Sequence, residues 1–546
     1  MPFHRGPLGV PPVPLIDRRR LLTRVALAGA GLAAAPSALA AAPAPARTGT
    51  PPTFGPVTVE PGDPRYASFL VQHNTRFTGS PARVTVAGSA GQVADALAEA
   101  AARGHRVAAR SGGHCMEDFT TSSEVKHLID LSQLNEVYFD PARTAFAVEP
   151  GAIVAPTQGT LFKGWGVMIP SAGCAEVGLG GHILGGGYNF YSRMHGLAVD
   201  HLQAVEVVTV DASGQAHVTV ATRDRNDPHR ELWWAHTGGG GGNFGIVTKY
   251  WFRTPGVAST DPSRLLPRAY DQRVRMLEWS WEDVSPGAFT TLTRNFCRWF
   301  EHNSAPGSPK TQVWASYFTP HQSAGTIGLM AGVSADAANG EALLADFLAE
   351  VTANVGVATS ADHQYSLPWL DRGNWYQEPA GRQKNKTSDL RRSYTDAQIA
   401  TIHSYLTDDS YANAGAQVNI SALGGQINAT APGATAAVHR DSTMRVYFTA
   451  GTWSSEAEDA ANIAWVRNLY RDVYAASGGV PVPDAVNAGA YINYPDVDLA
   501  DPAWNTSGTP WHSLYYGANY ARLQQVKKHY DPRGLFRHAL SVHPAA

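Results

Sequence analysis

The chain has 546 residues, of which 44% are hydrophobic and 16% are charged, so it is long enough to bury more than one core. Its 43 basic and 46 acidic residues give a formal net charge of −3, which argues against a general nucleic-acid binder because such proteins need a basic face. The 53 glycines and 36 prolines indicate many turns but follow no collagen-like or low-complexity period.

We predict that residues 1–45 form an export signal followed by a linker. Three arginines at 18–20 precede an apolar stretch at 25–35, and small residues at 38–40 offer a cleavage site. The paired arginines favour the twin-arginine route, which carries folded proteins. The apolar stretch is too short and too rich in glycine for a membrane-spanning helix. We therefore expect a secreted protein without stable membrane association; a disordered basic tail is the alternative.

Residues 46–255 have the pattern of a domain that mixes helices and strands. Apolar residues at helical spacing predict a helix over 91–103. Five glycines at 238–242 precede an apolar segment, and this free backbone makes Gly245 a candidate cofactor-binding residue. The predicted strands are residues 106–110, 128–131, 145–148, 202–210 and 217–220, the last two joined by a hairpin turn at 211–214.

After Pro255 the pattern changes, and residues 256–480 alternate strand-like with helix-like segments. We therefore predict a second domain in which an antiparallel sheet is backed by helices. Residues 481–546 are again rich in proline and aromatic residues, and they contain one helix that ends at Asp531. The predicted elements of the second domain are strands at 312–318, 417–423 and 444–449 and helices at 341–354 and 455–475.

Two glycine-rich loops carry the residues that point to chemistry. Glycines let backbone N–H groups approach a planar cofactor and its pyrophosphate closely. Imidazole and thiolate are the nucleophiles that can bond to the C8α methyl group and the C6 carbon of a flavin ring. A single loop histidine or buried cysteine is usually inert, so the pair carries the signal. The candidate residues are Arg110, Ser111, Gly112, Gly113 and His114 in the first loop and Cys174, Gly178, Gly180, Gly181 and Gly186 in the second.

The chain has three cysteines, an odd and low number that excludes a disulfide framework in an exported protein of this size. If Cys174 is bonded to a flavin, Cys115 and Cys297 remain thiols. No cysteine and histidine residues have the spacing of a zinc site, so we expect no metal.

In this order and with these flanks, the two loops resemble the bicovalent flavoproteins of the berberine-bridge-enzyme-like family, in the vanillyl-alcohol-oxidase superfamily. The resemblance covers roughly residues 65–255 and 480–546. It implies an α+β fold with FAD bonded to His114 through C8α and to Cys174 through C6. It also implies a vanillyl-alcohol-oxidase-type FAD-binding domain at 46–255, an inserted substrate-binding domain at 256–480, and a C-terminal segment, 481–546, that returns to the FAD domain.

Within the family the chain most resembles an oxidase that tailors anthracycline antibiotics. This resemblance implies a glycosylated polyketide as the small-molecule substrate and molecular oxygen as the electron acceptor, giving hydrogen peroxide. A terminal rhodinose would be oxidised to cinerulose and then desaturated to aculose. Tyr494 would be the base for the first oxidation and Tyr188 for the second. Free tyrosine has a pKa near 10, so a phenolate needs a cationic or hydrogen-bond-donating neighbour that the sequence does not identify.

Other interpretations remain open. The alternative role for each tyrosine is that of an ordinary packing residue: Tyr494 would pack beside Pro495, and Tyr188 would pack within a glycine-rich turn. The whole chain has two alternatives: a related oxidase that acts on free oligosaccharides or an alkaloid, and a secreted carbohydrate-binding protein on an inactive flavin scaffold. A substrate screen separates the two oxidases, and a colourless purified protein would establish the binding protein.

Overall fold

The structure is a computed structural model that describes residues 53–371 and 375–546, and three β-sheets organise this part of the chain. Helices alternate with or cover these sheets, so the predicted α+β class is confirmed. The predicted export signal in residues 1–45 lies outside the described residues.

The first sheet has four strands. They are β1 (Val57–Val59), β2 (Arg83–Val86), β3 (Arg106–Arg110) and β4 (Val125–Asp130). Their order is β1-β2-β4-β3, with β1 antiparallel to β2 and the other three strands parallel. Helix α1 (Ala90–Ala102) connects β2 to β3, and the Ser89 side chain caps it by accepting a hydrogen bond from the Gln92 N–H. The helix predicted over 91–103 is therefore confirmed, and β3 leads directly into the loop that carries His114.

The second sheet is antiparallel and has five strands. They are β5 (Val137–Asp140), β6 (Ala145–Val148), β7 (Leu202–Val210), β8 (Ala216–Thr222) and β9 (Ile246–Phe252), in the order β5-β6-β9-β7-β8. The predicted hairpin between β7 and β8 is confirmed. At its turn the Asp211 carboxylate accepts hydrogen bonds from the N–H groups of Ser213 and Gln215. Four short helices lie in the connections: α2 (Val154–Trp165), α3 (Leu179–Leu184), α4 (Ser192–His195) and α5 (Arg230–Ala235).

The third sheet occupies residues 272–489 and has eight strands. They are β10 (Gln272–Ser280), β11 (Trp314–Pro320), β12 (Thr326–Ser334), β13 (Ala361–Leu367), β14 (Asn385–Leu390), β15 (Gln417–Ala422), β16 (Met444–Thr449) and β17 (Asn487–Gly489). The order is β13-β10-β12-β11-β15-β16-β14-β17, and every neighbouring pair is antiparallel. The predicted antiparallel sheet is therefore confirmed.

Four helices pack against the third sheet. They are α6 (Pro286–His302), α7 (Gly340–Thr352), α8 (Asp396–Leu406) and α9 (Asp459–Val473). Helix α7 contacts β12 and α9 contacts β14 and β16, while α6 and α8 lie between them. Helix α6 begins with a Ser285 cap followed by proline, and it buries Phe289, Phe296 and Phe300 on one stripe. The prediction of a sheet backed by helices is confirmed.

The C-terminal residues return to the first half of the chain. Helices α10 (Trp511–Tyr516) and α11 (Tyr520–Tyr530) follow the third sheet, and α11 packs on α5. The Lys527 ammonium of α11 donates a 2.7 Å hydrogen bond to the backbone carbonyl of Asn243, just after the five-glycine run. The domain boundaries near 255 and 480 stay predictions; β17 carries the third sheet on to Gly489.

Within residues 53–371 and 375–546, no helix combines the length and apolar character that a bilayer crossing requires. In the same residues, His, Cys, Asp and Glu side chains form no group of three or more that could ligate a metal ion. Cys115, Cys174 and Cys297 are all free thiols.

Candidate active site

The two glycine-rich loops lie against each other, backbone to backbone. A Cβ atom on Gly112 would lie 2.5 Å from the Gly178 nitrogen, and one on Gly178 would lie 2.2 Å from the Gly112 nitrogen. Both loops also bind one carbonyl: the Ser111 hydroxyl and the Gly180 N–H donate to the oxygen of Pro150 at 2.5 and 3.0 Å. Only glycine fits at this contact, which explains why the sequence has glycine in both loops.

His114 follows Gly113, whose φ of +73° turns the chain into the left-handed region that favours glycine. The His114 ring stacks on the His73 ring, with 4.1 Å between centroids and 17° between planes. Burial, together with the neighbouring His73, lowers the pKa of His114 to about 4, so the imidazole is neutral at pH 7. Its Nδ1 atom is buried and has no hydrogen-bond partner among the described residues. A neutral imidazole with an unpaired nitrogen is suited to form a bond with a flavin.

Cys174 is buried, with 2% of its surface exposed, and a short backbone pairing holds it. The Ala175 N–H donates to the carbonyl of Tyr376, and the Tyr376 N–H donates to the carbonyl of Gly173, both at 3.0 Å. Burial raises the pKa of the Cys174 thiol, so it is uncharged in this environment. The pairing places Tyr376 directly beside the thiol.

Glu378 lies near both loops, and it was not identified from the sequence. Its carboxylate lies 3.6 Å from the Nε2 atom of His73. Its negative charge raises the pKa of His114 against the effect of burial, and it also raises the pKa of Cys174. One carboxylate therefore acts on both predicted attachment residues, so the structure brings His114 and Cys174 to the same place.

The other predicted cofactor-binding residues have different surroundings. Arg110 ends β3 with its Nε atom 3.8 Å from Asp130. Gly181 faces open space, because an added Cβ would meet no atom within 4 Å. Gly186 lies beside Leu197 and Ala437, and Gly245 packs on β7, where an added Cβ would lie 2.6 Å from a valine methyl. Close packing alone therefore explains why residue 245 is a glycine. Contacts of these residues with a flavin stay predictions.

Tyr188 and Tyr494 meet in a group of aromatic residues that we call the tyrosine cluster. Its ring centroids are 5.4 Å apart for Tyr188 and Tyr491, 5.7 Å for Tyr491 and Tyr494, and 5.0 Å for Tyr447 and Tyr494. Tyr188 and Tyr376 lie close enough to Tyr494 to influence the pKa of its phenol. The cluster consists of Tyr188, Tyr376, Tyr447, Tyr491 and Tyr494.

The Tyr494 phenol is uncharged in this environment. Burial raises its pKa well above 10, and the neighbouring Tyr188 raises it further. To act as a base, Tyr494 must therefore lose its own proton before it accepts one from the substrate.

A buried cation lies against the tyrosine cluster, and it was not identified from the sequence. The guanidinium carbon of Arg445 lies 3.5 Å from the ring centroid of Tyr491 and 4.4 Å from that of Tyr188. Its Nε and Nη2 atoms each donate a 2.6 Å hydrogen bond to Asp389. Burial raises the pKa of Tyr491, and the Arg445 charge opposes that rise. Arg445 is the type of neighbour that a phenolate needs, although it faces Tyr188 and Tyr491 rather than Tyr494.

The two glycine-rich loops and the tyrosine cluster share a boundary at Tyr376. A Cβ on Gly173 would lie 2.9 Å from the Tyr376 ring, so glycine next to Cys174 makes room for that ring. Together, the unpaired nitrogen of His114, the close glycine contact between the loops and the buried thiol fit a flavin. Phenols would then lie beside the cofactor, where a proton must be removed from a substrate.

Comparisons with known proteins agree with this geometry. The sequence profile of the family described as "FAD binding domain" matches residues 81–219, and that of "Berberine and berberine like" matches residues 490–543. The chain is 46% identical over 522 residues to the aclacinomycin-N/aclacinomycin-A oxidase of Streptomyces galilaeus, covering 95% of this chain and 94% of that protein.

Solved structures agree as well. The crystal structure of aclacinomycin oxidoreductase has a TM-score of 0.86 at 46% identity, covering 90% of this chain and 99% of that one. A glycopeptide hexose oxidase in complex with teicoplanin has a TM-score of 0.86 at 43% identity, covering 90% of this chain and 100% of that one.

The two profile matches fall on the two parts of the site. The FAD profile includes His114, Cys174 and Tyr188, and the berberine-like profile includes Tyr494. Nearly full-length identity of 46% to a known oxidase extends the match across the third sheet. The chain therefore belongs to the berberine-bridge-enzyme-like family of flavoproteins and is an FAD-dependent oxidase.

Proposed function

We propose that this oxidase acts on the terminal deoxysugar of a glycosylated polyketide, such as an anthracycline. The observation that carries the proposal is the tyrosine cluster, with its buried cation, set directly against the loops of His114 and Cys174. Support for the substrate class comes from similarity to one oxidase named for aclacinomycins and to another named for a glycopeptide hexose.

We further propose that FAD is bonded covalently to both His114, through C8α, and Cys174, through C6. The neutral imidazole of His114, with its unpaired nitrogen, supports the first bond. The Cys174 thiol, which is buried beside Tyr376, supports the second. Two bonds would fix the flavin ring while a bulky glycoside enters and leaves. When bound, FAD takes the hydride from the carbon that is oxidised and passes the electrons to molecular oxygen, giving hydrogen peroxide.

The chain's own residues handle the protons. In the first step, a secondary alcohol becomes a ketone, so its carbon loses a hydride and its hydroxyl loses a proton. Tyr494, in its phenolate form, accepts that proton, because its ring lies at the centre of the cluster against the rings of Tyr447 and Tyr491. In the second step, the ketone is desaturated, so the carbon next to the carbonyl loses a proton and the carbon beyond it loses a hydride. Tyr188, beside Arg445, accepts that proton.

The decisive experiment is turnover of an anthracycline glycoside whose terminal deoxysugar carries a free secondary hydroxyl. We expect peroxide to form with each oxidation, and mass spectrometry to detect first the ketone and then the unsaturated ketone, each step removing two hydrogen atoms. A free oligosaccharide and an alkaloid serve as competing substrates. Turnover of either of these, without turnover of the glycoside, would replace the proposed substrate with the alternative oxidase function.

We also propose export of the folded holoprotein through the twin-arginine route. The three arginines at 18–20 and the following apolar stretch support this, and they lie outside the described residues. Replacing Arg18 and Arg19 by lysine should leave yellow protein inside the cell. Unchanged secretion of that variant would point to the general route.

A further inference from the structure

A group of buried charged side chains lies behind the candidate active site, and we call it the charge cluster. The Lys384 ammonium lies 2.7 Å from a carboxylate oxygen of Glu117 and 2.7 Å from one of Asp496. The Lys386 ammonium lies 2.6 Å from Asp496 and 2.8 Å from Asp498. None of these five side chains is more than 5% exposed. The cluster consists of Glu117, Lys384, Lys386, Asp496 and Asp498.

The charges of the cluster balance. Arg467, at its outer edge, donates hydrogen bonds to both oxygens of Asp498 at 2.6 and 2.9 Å, so three cations face three carboxylates. Backbone donors add to this, because the N–H groups of Val497 and Asp498 point at Glu117 and Asp496. Each carboxylate therefore has more than one donor, which is the condition for holding charge in a protein interior.

The cluster joins three segments that matter to the site. Glu117 is three residues after His114, and Asp496 is two residues after Tyr494. The two lysines lie at the start of β14, which also carries Asp389, the partner of Arg445. Lys384 contacts Glu117 and Asp496 at once, so a single ammonium links the attachment loop to the segment of the predicted base.

Stability alone is a weak reason for such a group. Buried ion pairs cost much desolvation energy, and well-packed apolar residues of similar volume often stabilise a protein as well or better. What a charged pair with short hydrogen bonds does provide is one defined geometry between the elements that it joins. In the charge cluster, the joined elements are the loop that carries His114 and the segment that carries Tyr494.

We propose that the charge cluster is a positioning device that fixes His114 and Tyr494 relative to each other, through Glu117 and Asp496 meeting on Lys384. The inference rests on the proposed function, in which His114 is bonded to FAD and Tyr494 is a base. Glu117, Lys384 and Asp496 are positioning residues in this view.

The variant Glu117→Asp tests the geometry while keeping the charge. It withdraws the carboxylate by about 1.5 Å. A misplacement of about 1 Å can cost 10²-fold in rate, so we expect kcat for alcohol oxidation to fall between about tenfold and a hundredfold while KM stays within about twofold. Peptide mapping by mass spectrometry should show flavin retained on Cys174 and a reduced fraction of flavin on His114. Glu117→Gln, which also removes the charge, should lower both quantities further.

The matched control is Asp531→Asn. Asp531 is a buried carboxylate 2.6 Å from Lys527, so its substitution also leaves a buried lysine without its ion-pair partner, but on α11. We expect this variant to lose stability while its His114-linked flavin fraction and its kcat stay at wild-type values. A purely structural role for the charge cluster predicts that Glu117→Asp behaves in the same way.

The outcomes separate the two proposals. If wild-type protein carries no flavin on His114, the proposed covalent attachment is wrong, whatever the variants do. If wild-type protein carries it and Glu117→Asp keeps both the wild-type fraction and the wild-type kcat, the positioning role is wrong. If Glu117→Gln does not fold, the charge-conserving Glu117→Asp variant alone decides the question.

Discussion

The attachment loops and the tyrosine cluster lie side by side but are built in different ways. The loops are short, contiguous stretches of sequence, and they meet through backbone atoms at Gly112 and Gly178. The cluster is made of side chains from four separate parts of the chain, and its cation comes from a further position on β16. A local motif thus specifies where a cofactor is held, whereas the groups that act on the substrate depend on the whole fold.

The electrostatics of the two regions also differ. In the loops, burial lowers the pKa of His114 and raises the pKa of Cys174, so both candidate nucleophiles are neutral. In the cluster, burial raises the pKa of Tyr494, while Arg445 supplies a fixed positive charge beside Tyr188 and Tyr491. The second region is therefore equipped to stabilise a negative charge that develops during a reaction.

The largest expected effect comes from removing both attachment residues. Either His114→Ala or Cys174→Ala alone should leave flavin bonded through the other residue, because backbone contacts, and not these two side chains, hold the loops in place. The double variant should release all flavin on acid precipitation. The check is absorbance of the supernatant and of the protein pellet.

Cys297→Ala is the control for this experiment. Cys297 is a fully buried free thiol on α6, so its loss should cost packing and leave both flavin bonds intact. Free flavin released from denatured wild-type protein would contradict the interpretation of the loops as a double attachment site.

The second prediction tests the cluster. Tyr494→Phe removes only the phenol oxygen and should slow alcohol oxidation by about a hundredfold or more, the scale of a lost general base. Because the pKa of Tyr494 is raised, the phenol is protonated at neutral pH, and its basic form increases as pH rises. We therefore expect kcat/KM of the wild type to increase from neutral to alkaline pH and that of the variant to lose this increase. A parallel pH profile for both proteins would place the base elsewhere.

The contrast between the regions also explains what sequence could predict. Helix α1, the β7–β8 hairpin, the antiparallel third sheet and the two attachment loops all depend on neighbours in sequence: caps, turn residues, periodicity and glycine runs. These were predicted.

The remaining site residues depend on long-range contacts. Arg445 and Tyr447 lie two residues apart on β16, so alternation puts them on one face, but nothing local indicates that this face meets the cluster. Tyr376 and Glu378 lie in an irregular segment that pairs with Gly173 and Ala175 through backbone hydrogen bonds. Lys384 resembles a solvent-exposed residue in sequence because lysine is rarely buried without a partner, and its partners are more than a hundred positions away.

The third prediction divides the two steps within the cluster. Tyr188→Phe should spare alcohol oxidation and slow the desaturation, so the keto-sugar accumulates. The reason is geometric, because the two protons leave different atoms of the sugar and Tyr188 and Tyr494 are separate rings that each lie against Tyr491. Product analysis over time, with alcohol and ketone supplied separately, measures each step. Equal slowing of both steps would make Tyr188 a packing or positioning residue.

The smallest effect is expected for Arg445→Lys, which keeps the positive charge but loses the planar guanidinium group with its paired donors. A lysine can replace only one of the two hydrogen bonds to Asp389 and does not stack on the rings of Tyr188 and Tyr491. We expect the free energy of unfolding to fall by about 1.5–3 kcal/mol, the range for hydrogen bonds to charged groups. Alcohol oxidation should slow no more than a few fold, because Arg445 does not contact the Tyr494 ring. Denaturant titration and initial rates measure the two effects.

Arg522→Lys is a matched control for this last variant, because it changes the same geometry at the surface. Arg522 donates two 2.6 Å hydrogen bonds to Glu231 and lies 3.8 Å from the ring centroid of Trp234, but both charged partners are partly exposed. Its substitution should cost less than about 1 kcal/mol, since water screens the pair. If Arg445→Lys abolished alcohol oxidation as completely as Tyr494→Phe, the fixed cation would limit the first step. It would then be wrong to assign the proton transfer to Tyr494 alone and to limit Arg445 to the support of Tyr188 and Tyr491.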